Sequence, residues 1–192
     1  MKRIGVLAIQ GDFAEHIAAM NEVEGVEAFP VKKAEEMASL GGLIIPGGES
    51  TTIGKICEMF GVDKAIIAAH GRGIAVWGTC AGLIYMATDI ADYPEQQRLG
   101  LLNCRVKRNA FGRQVDSFET DLPVKGLEDG ATRAVFIRAP YVESVGDGVE
   151  VLSVYNDKIV AVRQGKLLGI AFHPELTDAR RVQRYFAGMV EE

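Results

Sequence analysis

Gly78-Thr79-Cys80-Ala81-Gly82 lies between an apolar run at residues 74–77 and a stretch with helical character at 80–87. A nucleophile flanked by small residues at a strand-to-helix turn is the elbow pattern Gly-x-Nuc-x-Gly, here with cysteine at its centre. The turn is tight and strained, and small neighbours let the backbone pass without collision. It lifts the sulfur above the strand ends, where open α/β sheets bind ligands. The N–H groups of the following helix then favour thiolate over thiol. A lone cysteine is more often a packed core residue, and the other two fit that reading. Cys57 shares a helical face with Ile53, Ile56 and Phe60, and Cys104 lies on the apolar side of an alternating run.

A base for this nucleophile is offered by His173-Pro174-Glu175, directly after the apolar run Leu167-Leu168-Gly169-Ile170-Ala171-Phe172. Extended residues i and i+2 project to one side, and Pro174 favours an extended His173. Glu175 is therefore expected to meet one imidazole nitrogen while the other faces the nucleophile, which is triad logic. Alone, the motif fits a strand-end histidine beside a local carboxylate equally well; the cysteine elbow tips the balance. Of the remaining histidines, His70 reads as a partner for the last carbonyls of a helix. His16 reads as a surface or interface residue of the first helix.

Pro46-Gly47-Gly48-Glu49-Ser50-Thr51-Thr52 follows another short apolar run and opens a helix. Its glycines permit positive φ and close backbone approach. The N–H groups of Gly47 and Gly48, with that of Ala81, are candidate oxyanion donors. A phosphate cradle at a helix N-terminus is the competing reading; it is weakened by the absence of the Gly-Lys-Ser/Thr that completes a P-loop.

The elements that must position these groups alternate. Apolar runs at residues 4–9, 26–31, 43–45 and 74–77 are expected strands. Between them, helices are expected from an Asp12 N-cap through Phe13, Ile17 and Met20, at 51–60 and at 63–69. Short, continuously apolar strands in a β-α-β-α rhythm indicate a parallel sheet covered on both faces. Beyond about residue 98 the pattern changes to strands, at 102–107, 115–122, 134–137, 149–155, 159–163 and 167–172. Turns are expected at Asn156-Asp157 and Gln164-Gly165. A last helix at 178–190 carries Val182, Tyr185, Phe186 and Met189 on one face.

The 192 residues, 48% apolar and 24% charged, suit one soluble domain over the whole chain, 1–192. A net charge of −5 and no basic stripe argue against nucleic-acid binding. No apolar run reaches membrane-spanning length, and no signal-peptide pattern opens the chain. Three cysteines without a CxxC spacing exclude a disulfide framework and a cysteine metal site. A cytoplasmic setting is expected.

Taken together, the loop at 46–50, the elbow at 78–82 and the late His173-Pro174-Glu175 resemble, in their order, the three signatures of class I (triad) glutamine amidotransferases. Further segments carry the likeness into the branch of that family that forms the glutaminase subunits of pyridoxal 5′-phosphate synthases. These are Gly5-Val6-Leu7-Ala8-Ile9-Gln10-Gly11, then Arg108-Asn109-Ala110-Phe111-Gly112-Arg113-Gln114-Val115-Asp116-Ser117-Phe118 and Phe136-Ile137-Arg138-Ala139-Pro140. Phe172-His173-Pro174-Glu175-Leu176-Thr177 completes them. The resemblance implies a three-layer α/β/α fold, with a mostly parallel central sheet and added antiparallel strands in the C-terminal half. It implies Cys80, His173 and Glu175 as the triad. It also implies a glutamine site that includes Gly48, Glu49, Ser50, Arg108, Ile137 and Arg138. The substrate would be L-glutamine, no cofactor or metal would be needed, and the partner would be a synthase subunit in a hetero-oligomer. Gln10, at the end of the first strand, is expected to reach the oxyanion loop and serve in regulation, because its amide can bond a neighbouring backbone group. An amidotransferase of another pathway, a cysteine hydrolase or redox-responsive protein, and a silent binding module are the alternatives.

Overall fold

The computed structural model describes residues 1–109, 117–127 and 130–191. Its strands are β1 (Lys2–Leu7), β2 (Val26–Val31), β3 (Gly42–Ile45), β4 (Ala75–Thr79), β5 (Ala87–Ile90) and β6 (Leu102–Lys107). They continue as β7 (Ser117–Leu122), β8 (Thr132–Ile137), β9 (Tyr141–Val145), β10 (Glu150–Tyr155), β11 (Lys158–Gln164) and β12 (Leu167–Ile170). The helices are α1 (Phe13–Asn21), α2 (Ser50–Met59), α3 (Val62–Gly71), α4 (Ala81–Met86) and α5 (Arg181–Met189), with 3-10 turns at Ala34–Ser39 and Pro174–Leu176.

The main sheet runs β2-β1-β3-β4-β12-β11-β9-β6-β5, with β10 beside β11. The pairs from β2 to β12 are parallel, and those joining β12, β11, β9 and β6 are antiparallel. Every residue of β3, β4 and β12 is buried, as continuously apolar strands covered on both faces require. Successive side chains of β4 point to opposite faces. Trp77 meets His16 of α1 at 5.1 Å and Phe186 of α5 at 5.5 Å between ring centroids. On the other face, a Cβ on Gly78 would lie 2.5 Å from the Gly82 backbone of α4. Helix α4 packs on α2, and α2 on α3. Thus α1 and α5 cover one face, and α2, α3 and α4 the other. The parallel first half and antiparallel additions match the expected fold class.

Several boundaries differ from the sequence expectations. The helix after the nucleophile ends at Met86, one residue before the expected end, and Ala87 begins β5, a strand the sequence reading does not anticipate. Strand β9 was not anticipated; it pairs with β6 and touches β11 at one position. Phe60 is 67% exposed rather than packed with Cys57, because the helix has already ended at Met59. The turn at Asn156-Asp157 has both residues at positive φ, 47° and 59°, as a tight two-residue hairpin needs. The second turn falls at Gly165-Lys166, one residue later than expected. Residues 115–116 of the expected strand at 115–122 lie outside the described residues, as do residues 110–114 of the motif beginning at Arg108. Among the described residues no helix is long and apolar enough to cross a membrane.

Outside the main sheet, β7 and β8 form a two-stranded ribbon closed by stacked Phe118 and Phe136, 4.6 Å between centroids. The His173 N–H donates to the Val135 carbonyl at 2.8 Å, which ties this ribbon to the end of β12.

Gly82 sets how closely α4 can approach β3, since a Cβ there would fall 2.0 Å from the Ile45 carbonyl oxygen. Gly82→Ala is expected to destabilise the fold by about 1–3 kcal/mol through overpacking. Urea unfolding should show a lower midpoint with an unchanged slope.

Candidate active site

Four parallel strand ends converge on one cleft. β4 lies between β3 and β12, with Ile45 opposite Gly78 and Ile170 opposite Thr79. The Cys80 N–H extends this register by donating to the Ile170 carbonyl at 2.8 Å. Cys80 therefore sits between the loop that leaves β3 and the segment that leaves β12. Its backbone has φ 50° and ψ −101°, a strained geometry for a residue with a side chain. Such strain persists only where the surroundings enforce it, and the bond to Ile170 and the Gly78–Gly82 contact do so. As the first residue of α4, Ala81 has an N–H with no intrahelical acceptor, and it lines the cleft.

His173 Nδ1 lies 2.6 Å from Glu175 Oε1. The residue pair arises differently from the extended geometry expected. β12 stops at Ile170, and Glu175 sits in the 3-10 turn Pro174–Leu176, opened by a proline at its first position. Proline suits a first helical position because its missing N–H would be unpaired there. With Nδ1 engaged, Nε2 is left for the Cys80 thiol, which lines the same cavity. Burial opposes charge on His173, but the Cys80 and Glu175 contacts outweigh it and push its pKa up to about 10. Burial likewise opposes charge on Glu175, yet the imidazoles of His16 and His173 beside it hold its carboxyl below the usual range.

The loop at 46–49 faces this pair. A Cβ on Gly47 would lie 2.5 Å from the His173 ring. Gly48 has φ 149° and lies against Gln10, whose Oε1 a Cβ would approach to 2.4 Å. Gln10 Oε1 accepts from the Glu49 N–H at 2.7 Å, and the Asp12 N–H donates to the Gly47 carbonyl at 3.2 Å. The side-by-side pairing of β1 and β3 makes these contacts possible. Glu49 caps α2, accepting from Thr51 N at 3.2 Å and Thr52 N at 2.7 Å. Partial burial would raise its pKa, but the Thr52 and Thr51 donors hold it low.

Arg108 enters from the end of β6, with its side chain 18% exposed. Nη1 donates to Gln96 Oε1 at 2.6 Å, Nη2 lies 3.4 Å from Glu49 Oε1, and the guanidinium covers the Tyr93 ring at 4.6 Å. Gln96 Nε2 donates in turn to Ser50 Oγ at 2.9 Å. Ile137 and Arg138 come from the end of β8, Arg138 at φ 41°. The resulting cavity has a volume of about 410 Å³ and is lined by Gln10, Gly48, Glu49, Ser50, Cys80 and Ala81. Arg108, Ile137, Arg138 and His173 also line it, with Asp12, Ile84 and Asn109. Glu175 lies behind His173 and Gly47 beside its ring, so neither forms that wall. The size suits a small molecule.

Four residues of this neighbourhood were missed by sequence reasoning. Asp12 occupies the N-cap position of α1 without capping it; its Oδ2 lies 3.7 Å from His173 Nδ1. Gln96 and Tyr93 belong to a polar loop with no motif of its own, and only their contacts with Arg108 reveal them. His16 is fully buried, with Nε2 3.4 Å from Glu175 Oε2, which overturns its reading as a surface residue. Its place on the α1 face turned to the sheet, three residues after Phe13, was the available signal. His70 bonds the Ile74 carbonyl at 3.2 Å, just past the end of α3. The ligand atoms of Asp12, His173 and Glu175 lie within 4.8 Å of one another, but a cation there would have to replace the His173–Glu175 hydrogen bond.

The remaining cysteines line no part of this cavity. Burial pushes the Cys57 thiol up to about 11 and the Cys104 thiol up to about 12.

Comparison with known proteins gives a consistent picture. The SNO glutamine amidotransferase family matches residues 6–192. A Niallia circulans protein named pyridoxal 5′-phosphate synthase subunit PdxT is 57% identical over 190 residues, covering 99% of this chain and 98% of the relative. A Thermus thermophilus protein of the same name is 53% identical over 184 residues, covering 95% of each. A solved structure described as a glutamine amidotransferase superposes with a TM-score of 0.92 at 52% identity, covering 97% of both chains. A Thermoplasma acidophilum protein, described as a putative GMP synthase subunit, shares the fold at TM-score 0.70 and 16% identity, covering 98% of this chain and 94% of its own.

Two outcomes follow from the electrostatics. Iodoacetamide at neutral pH should label Cys80, which lines the cavity, and spare Cys57 and Cys104, whose buried thiols resist the ionisation that alkylation needs, as read by peptide mapping. The raised His173 pKa contributes stability in full below the unfolded value of about 6.5; that contribution is lost as pH rises through about 10. Across that window the urea midpoint of the wild type should fall more steeply than that of His173→Gln.

Proposed function

The chain belongs to the SNO glutamine amidotransferase family, and on that premise we propose that it is the glutaminase subunit of a pyridoxal 5′-phosphate synthase. It hydrolyses L-glutamine to L-glutamate and ammonia and passes the ammonia to a synthase subunit, with which it forms a cytoplasmic hetero-oligomer. The observation that carries this reading is the Cys80–His173–Glu175 alignment at the floor of a cavity walled by Arg108.

The geometry supports the following chemistry. Cys80 sulfur attacks the side-chain amide carbon of glutamine. The N–H of Ala81 and those of the Gly47-Gly48 loop are the donors available to the tetrahedral oxyanion. His173 gives its proton to the departing ammonia as the C–N bond breaks, leaving a glutamyl thioester on Cys80. Water then attacks the thioester with His173 as base, releasing glutamate and restoring the thiol. Arg108, pinned by Gln96, Glu49 and Tyr93, offers a preset guanidinium to the substrate α-carboxylate. Glu49, Ser50, Ile137 and Arg138 shape the rest of the glutamine site. No step calls for a metal or an organic cofactor.

Gln10 is the regulatory element in this reading. It holds the Glu49 N–H and abuts Gly48, so it biases the peptide orientation of a glycine loop that turns easily. A synthase subunit seated over α1 and the neighbouring loops would select the orientation competent for oxyanion binding.

Cys80→Ala should abolish glutamate release while keeping the fold, whereas Glu175→Gln should lower it less completely than His173→Asn. The assay is glutamate production with saturating synthase subunit, and activity retained in Cys80→Ala would sink the assignment. The wild-type chain alone should turn over far more slowly than the complex; equal rates would rule out gating and leave the triad standing.

A further inference from the structure

His16 and Glu175 are both fully buried, and His16 Nε2 lies 3.4 Å from Glu175 Oε2. Neither His16 nitrogen and not Oε2 has a hydrogen-bond partner among the described residues. Buried polar groups are seldom left so, and each such case calls for an explanation. Glu175 spends Oε1 on His173. Its second oxygen lies beside His16, whose ring packs T-shaped against Trp77 at 5.1 Å and 86°. We propose that His16 is a positioning residue of the triad: its neutral ring, with Nε2 3.4 Å from the unsatisfied Glu175 Oε2, is poised to donate to that oxygen and thereby to aim Oε1 at His173.

The charged and titratable groups around His16 are Glu175 and His173 from the segment after β12, and Asp12 and Glu15 from α1 itself. Burial lowers the His16 pKa; Glu175, Asp12 and Glu15 oppose that shift, and His173 adds to it. A neutral ring is the form that both conditions favour, because a second buried cation would repel the protonated His173. A neutral donor also stabilises an anionic acceptor without cancelling its charge, so Glu175 keeps its pull on His173. The placement links two parts of the site. His16 lies one turn after Asp12, whose N–H bonds the Gly47 carbonyl. The start of α1 therefore touches the oxyanion loop, and its next turn touches the triad acid. Arg180 pairs with Glu22 through two bonds of 2.8 and 2.9 Å, which fixes the far end of α1 to the segment that follows Glu175.

The inference rests on the glutaminase reading for its kinetic test but not for its chemical one. Two substitutions separate a donor from a packing role. His16→Gln keeps an N–H near Nε2 and loses the ring; His16→Phe keeps a ring against Trp77 and loses the donor. With saturating synthase subunit, His16→Phe should lose kcat about tenfold or more, the size of one hydrogen bond to a charged group. KM should stay within about twofold, since His16 lies outside the cavity wall, and His16→Gln should recover most of the rate. Without its donor Glu175 protonates more readily, so the acid limb of kcat/KM in His16→Phe should move to higher pH and that of His16→Gln should not. Cys80 alkylation by iodoacetamide against pH should show the same displacement in the isolated chain. That readout survives if the wild-type complex proves inactive on glutamine, in which case the functional reading fails alone. A wild-type pH profile in His16→Phe, or both variants impaired alike in turnover or in folding, would overturn the proposal.

Discussion

The parallel alignment of β4 between β3 and β12 is the constraint from which the site follows. It brings the ends of three buried strands to one level, so that residues distant in sequence meet without long connections. The Cys80 N–H bond to Ile170 is the last rung of this alignment. It holds the nucleophile at a positive φ that a free chain would leave. Glycines at 78 and 82 make the same demand from the other side, because α4 must pass within contact of the strand that feeds it. A shift of one residue in register would carry Cys80 away from both His173 and the loop at 46–49.

Charge balance then decides what the site can do. His173 is buried yet held in its charged form by Glu175 on Nδ1 and by the nearby Cys80. Such a ring can deliver a proton to a leaving group without first acquiring one from water. Glu175 is buried for the same purpose: its field on His173 is strongest where solvent is excluded. Arg108 follows the other logic, being partly open on the cavity and fixed by neutral and charged neighbours. Its charge is available to a ligand because, among the described residues, only Glu49, at 3.4 Å, competes for it.

Much of this was legible in the sequence. Continuously apolar runs marked the buried parallel strands, and alternation marked the half-buried strand β6. The elbow and the histidine motif pointed to Cys80, His173 and Glu175, which the fold brings to one cleft. What escaped depends on tertiary contact. Glu175 reaches His173 from a 3-10 turn rather than from an extended strand, since Pro174 serves a helix start as well as it serves an extended neighbour. Gln96 and Tyr93 carry no pattern, and their meaning comes from Arg108, 12 residues or more away in the chain. His16 was misjudged because a histidine on an amphipathic helix gives no sign of what lies beneath it. Strand β9 is half-exposed and paired at its edges, so its sequence lacks the apolar run that marks a central strand.

The central claim is that Cys80 is the nucleophile of a glutamine-shaped cavity. The most direct measurement is covalent capture by a glutamine analogue with an electrophilic carbon in place of the side-chain amide. The complex with the synthase subunit is treated with the analogue and mapped by peptide mass spectrometry. The account predicts a single adduct, on Cys80, that excess L-glutamine suppresses and that His173→Asn slows. Labelling of Cys57 or Cys104 instead, or labelling of Cys80 that L-glutamine does not protect, would contradict it.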